Sequence, residues 1–182
     1  MQLRDLNVSR AVATDAGMFG IWRTSVFAHV SELDQWEDEI AEDSALSRQI
    51  SDGAFVPLNI GGSGAFQATV RGVESPGQLS EREREYLLVS SEPYLLISDG
   101  ELELGGLEGV GNYSGAETVG ISLDSGQYAV VVHLLDWQAE PGSRGSDGKP
   151  APNALPDFIV EIFADSRERS GYRTKVETFE RP

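Results

Sequence analysis

Gln127-Tyr128-Ala129-Val130-Val131-Val132-His133-Leu134-Leu135 decides the fold class. It is apolar on both faces and too rich in β-branched residues to settle as a helix. It should be the most buried strand of the chain. Phe158-Ile159-Val160-Glu161-Ile162-Phe163 is a second run of the same type. Between the two lies a loop of nineteen residues, 138–156, with four prolines and three glycines. It reads as exposed and mobile.

Working outward, Tyr94-Leu95-Leu96-Ile97-Ser98, Asp99-Gly100 and Glu101-Leu102-Glu103-Leu104 form a hairpin signature, since Asp-Gly readily takes the positive φ of a tight turn. A last hairpin is expected over 157–179, turning at Ser170-Gly171 and closing with the alternating Thr174, Val176 and Thr178. Helical spacing is confined to two places. Leu33, Trp36 and Ile40, then Leu46 and Ile50, predict one helix over about 32–50, or two with a break near Asp43. Ser80-Glu81-Arg82-Glu83 is a capping box that starts a short helix over about 80–86. The fold class is therefore α+β, mainly antiparallel β, in one compact domain spanning 1–182.

Ser63-Gly64-Ala65-Phe66-Gln67-Ala68-Thr69-Val70 aligns with Ser125-Gly126-Gln127-Tyr128-Ala129-Val130-Val131-Val132 at an offset of 62 residues. The match admits an internal duplication, with halves 11–75 and 86–137 and a cleft between them. Thr14-Asp15-Ala16-Gly17-Met18-Phe19-Gly20-Ile21 and Asp124-Ser125-Gly126-Gln127-Tyr128-Ala129-Val130-Val131-Val132 resemble two signatures of small bacterial β-rich proteins. Those carry an Asp-Ala-Gly start and a Gly-Asp-Gly-x-Tyr-Pro-Val strand. Ser125 replaces an Asp of that pattern and Ala129 a Pro. The resemblance implies a β-rich fold and transfers no catalytic residue, since no activity is established for those proteins.

Charge narrows the partners. Fourteen Lys and Arg against thirty Asp and Glu leave −16, and no base occurs between Arg84 and Arg144, where ten acids do. Such a balance argues against nucleic acid and anionic membrane surfaces. It favours a solubilising face or one that recruits a basic protein. Cysteine is absent, so disulfides, thiolate catalysis and Cys-based metal sites are excluded. The first residues contain no apolar signal segment, and no run of 18 apolar residues follows, so a cytoplasmic protein is expected.

Catalytic motifs are few. His133 shares a strand face with Ala129, Val131, Leu135 and Trp137, where a core histidine is the plainer reading and a Ser-His-Asp member the sharper one. Asp15, Asp99, Asp124 and Asp136 sit at expected strand ends, where convergence on His133 would make a pocket. The glycine-rich 105–115 lacks nucleotide-binding spacing and reads as a loop. No metal or cofactor is called for. Trp36 with Glu37, Asp38 and Glu39 offers a partner anchor on an acidic helix. The leading expectation is a non-enzymatic, inhibitor- or immunity-like domain that binds a basic protein. The alternative is a small-ligand or metal-binding enzyme using the cleft between the halves. A role in assembly would need an exposed apolar patch on an edge strand.

Overall fold

The computed structural model describes residues 1–165 and 168–180. Eight strands form one mixed, mostly antiparallel sheet: β1 (Asn7–Thr14), β2 (Met18–Arg23), β3 (Phe55–Asn59), β4 (Gly64–Gly72), β5 (Leu87–Ser90), β6 (Tyr94–Gly106), β7 (Val119–Leu135) and β8 (Phe158–Ala164). Their spatial order is β1-β4-β8-β7-β6-β2-β3, and β5 pairs with the end of β7. Of these pairs only β4 and β8 run parallel. The fold is α+β, with short helices α1 (Thr24–Phe27), α2 (Leu33–Trp36), α3 (Asp43–Ser51) and α4 (Glu81–Glu85).

The run that decided the fold class occupies the second half of β7, whose last eight residues are all buried. It has β8 on one edge and β6, then β5, on the other. The sheet curls until β1 returns against β6, so close that a Cβ on Gly106 would lie 2.7 Å from the Ala13 carbonyl oxygen. Inside the curl Phe19, Ile21, Leu58, Val70, Leu104, Val132, Phe158 and Val160 are fully buried. Each such side chain contributes about 1.5–3 kcal/mol of transfer free energy. On the other face of β7 and β8 lie two smaller clusters, one around Leu95, Ala129, Val131 and Phe163, the other around Leu135, Trp137, Leu155 and Ile159.

α2, α3 and α4 lie where the spacing placed helices, whereas α1 was not expected. A single π-helical turn (Glu37–Ala41) follows α2, and extended Glu42 separates it from α3. Ser80 caps α4 reciprocally, its Oγ accepting from the Glu83 N–H while its own N–H donates to Glu83 Oε2.

Two expectations need correction. Asp99-Gly100 is no hairpin turn: β6 runs through it, paired with β7 on both sides of a bulge. Gly100 has φ +123, and Ser98 Oγ holds the bulge by donating to the Leu123 carbonyl and accepting from Gly100 N–H. A residue pair suited to positive φ serves a bulge as well as a turn. Among the described residues the C-terminal hairpin does not form, because β4 and β7 already take both edges of β8. Residues 172–179 instead make isolated parallel bridges, Arg173 to Tyr94 and Thr178 to Asn59. The duplication is not repeated in the pairing: β6 pairs with β7, whereas its counterpart β2 pairs with β3 and β6 and not with β4. The long loop is mostly exposed, as expected, and is tied to the rest of the fold at several points. Arg82 grips Glu140 through two nitrogens and also reaches the Asn153 carbonyl, Trp137 Nε1 donates to Asp157 Oδ1, and Leu155 is buried.

Candidate functional site

Residues 32–43 hold seven acids and no base. The α2, π-turn and α3 sequence buries Ile40 and Leu46 against the core, which turns the intervening positions to solvent. Glu32, Asp34, Glu37, Asp38, Glu42 and Asp43 are exposed, and Leu33 among them is 53% exposed. Among the described residues none of these six carboxylates pairs with a base. An uncompensated cluster of this kind raises the local concentration of cationic groups and steers them on approach.

The structure divides the four residues read as a partner anchor. Glu37 and Asp38 face solvent. Trp36 does not: its Nε1 donates to the Leu107 carbonyl at 3.0 Å, and its ring packs 5.4 Å from that of Tyr113. Glu39 is turned inward, accepting from Gln49 Nε2 at 2.7 Å and lying within 3.4 Å of both His29 Nε2 and Arg48 Nη2. Trp36 and Glu39 thus fix the segment, while Leu33 takes the exposed apolar position.

The five residues read as weak catalytic candidates are not brought together. Asp15 lies exposed after β1, its N–H donating to Glu108. Asp99 accepts from Ser25 Oγ, Asp124 is met by the Met1 amino group at 3.0 Å, and the Asp136 N–H donates to the Tyr86 carbonyl. Among the described residues no three His, Asp or Glu are placed to hold a metal ion.

His133 has different company. Its side chain is 4% exposed, Ser90 Oγ lies 2.7 Å from Nδ1, and Glu161 Oε2 lies 3.3 Å from Nε2. The last contact is close but too poorly aligned to count as a hydrogen bond. Glu161, fully buried, accepts from Gly77 N–H at 2.6 Å and Arg71 Nη2 at 3.2 Å. Arg71 also makes a paired contact to Glu83 and donates to the Gln78 carbonyl. Arg71, Glu161, His133 and Ser90 therefore form a polar row across β4, β8, β7 and β5, between the two outer apolar clusters. Burial by itself would raise the Glu161 pKa, but the groups from His133, Gly77 and Arg71 outweigh it and hold the carboxyl below its ordinary range.

A hydroxyl, an imidazole and a carboxylate in sequence is the order a hydrolase uses. Here the carboxylate is committed to Arg71 and a backbone N–H, which is how a buried charge is made tolerable in a core. Sequence reasoning missed Arg71, Ser90 and Glu161. A signal for Glu161 was present: a single acid inside an otherwise apolar both-face strand must find a buried partner.

No family model matches the chain, and no curated protein matches it. Two solved structures are similar to it. The crocagin biosynthetic gene J protein has a TM-score of 0.59 at 14% identity, over 88% of this chain and 97% of its own. The likeness is one of fold. ComJ from Bacillus subtilis, an inhibitor of the DNA-degrading activity of NucA, has a TM-score of 0.49 at 8% identity over 87% of this chain and 96% of its own.

Proposed function

We propose that this chain is a non-enzymatic protein-binding domain whose acidic surface captures a basic protein, as inhibitor and immunity-type proteins do. The observation that carries the reading is the exposed segment 32–43, with six carboxylates lacking a basic partner among the described residues around exposed Leu33. A net charge of −16 adds a long-range field of the same sign. Such a field speeds association with cationic surfaces and repels nucleic acid, so it selects the class of partner. Leu33 supplies an exposed apolar contact beside the carboxylates, since charge alone gives little lasting affinity. Less supports the enzyme alternative, because Asp15, Asp99, Asp124, Asp136 and His133 have separate surroundings.

The test is capture from source-cell extract on the immobilised chain, at low and then high salt. A basic protein retained in stoichiometric amount and released by salt is expected, and its loss when Glu32, Asp34, Glu37, Asp38, Glu42 and Asp43 are made neutral. Equal capture by that variant would move the interface elsewhere.

A further inference from the structure

The two outer edges of the sheet are treated differently. β3 carries Pro57, and its end is covered by the C-terminal segment, with Phe179 N–H donating to the Asn59 carbonyl and Asn59 Nδ2 to Thr178 Oγ1. Proline and a covering segment are how proteins block unwanted strand addition. β1 has neither. It pairs with β4 from Asn7 to Thr14, and no other strand takes its second edge. β7 is bordered by β6 from Val119 and by β8 only from Tyr128, and between these the Asp124 N–H donates to the Met1 carbonyl. The open edge of β1 lines a groove of about 460 Å³, with Ala11 and Ala13 on one side and Glu117, Thr118 and Val119, the first residue of β7, on the other.

The groove's chemistry is as particular as its edges. Small side chains at Ala11, Ala13, Ala65 and Ala116 leave room for a backbone to approach. Asp15, Glu108 and Glu117 line it and no Lys or Arg does. Glu108 is held by Thr14 Oγ1 and the Asp15 N–H, whereas Asp15 and Glu117 are exposed and their carboxylates have no bonded partner among the described residues. An extended segment laid there would find the unpaired edge of β1 on one side and negative charge for its side chains.

We infer that the open edge of β1, in the groove beside residues 117–119, accepts an extended cationic segment of a protein partner as an added strand. This rests on the reading of the partner as basic and places a second contact apart from the acidic helix. The probe is a labelled decapeptide of alternating valine and lysine, followed by fluorescence anisotropy and by hydrogen exchange of the whole chain. The expected result is saturable binding that slows amide exchange within residues 8–13. Asp15→Asn with Glu117→Gln should weaken it about fivefold or more. N-methylation of alternate peptide amides, which preserves charge but removes strand pairing, should abolish it. Undiminished binding of the methylated peptide, protection confined to residues 32–43, or no binding at all would each overturn the strand site. None of these results decides whether a basic protein is captured, which the salt-dependent capture experiment answers separately.

Discussion

Arg71 and Glu161 stand directly opposite each other on the parallel pair β4 and β8, with Nη2 3.2 Å from Oε1. The carboxylate has no exposure, and the guanidinium side chain keeps 21% of its surface. Truncating Arg71 would strand Glu161 without its cation. Arg71→Met should therefore destabilise the fold by about 3–5 kcal/mol. Denaturant titration checks this, and a loss within about 1 kcal/mol would mean that Gly77 and His133 suffice.

Acid should weaken the same cluster. Burial alone would raise the carboxyls of Glu161 and Glu83, yet their hydrogen-bond partners and Arg71 hold both below the ordinary 4.5. A group whose folded pKa lies below its unfolded value contributes stability fully above the unfolded value and loses it as pH falls through the folded one. Stability should thus decline as pH drops below about 4.5, and Glu161→Gln should flatten that decline. Urea midpoints measured across that range decide it, and an unchanged slope in the variant would place the acid sensitivity elsewhere.

Within the acidic segment, stability and binding should separate by residue. Glu37→Gln and Asp38→Asn are expected to change the unfolding free energy by less than about 0.5 kcal/mol. Glu39→Gln should cost more, since Glu39 accepts from Gln49 and faces His29 and Arg48. Thermal unfolding of the three variants would show it, and equal losses would mean that Glu39 is no more structural than its neighbours.

Ser90 tests the polar row. If its bond to His133 Nδ1 is structural, a fluorophosphonate probe should leave Ser90 unlabelled, and Ser90→Ala should cost about 1 kcal/mol. Labelling of Ser90, lost in His133→Gln, would instead restore a hydrolytic reading.

What was legible in the chain follows from how local the deciding physics is. The β7 run, the helix break beside Asp43 and the Ser80 capping box are set by neighbouring residues, and all three stand. Asp99-Gly100 was misread because a turn and a bulge ask the same of glycine, and only the β7 partner strand tells them apart. The C-terminal segment was misplaced because both edges of β8 were taken by strands distant in sequence. The candidate site divides likewise. Exposure of Glu37 and Asp38 follows from helical period, whereas the inward turn of Glu39 depends on His29 and Gln49, which no spacing announces.

The association rate of the captured basic protein, measured against ionic strength for this chain and for the variant with six neutral residues in 32–43, tests the central claim most directly. A rate that falls steeply with salt, and is about tenfold lower in the variant at low salt, is the predicted result. A rate indifferent both to salt and to the six substitutions would contradict it.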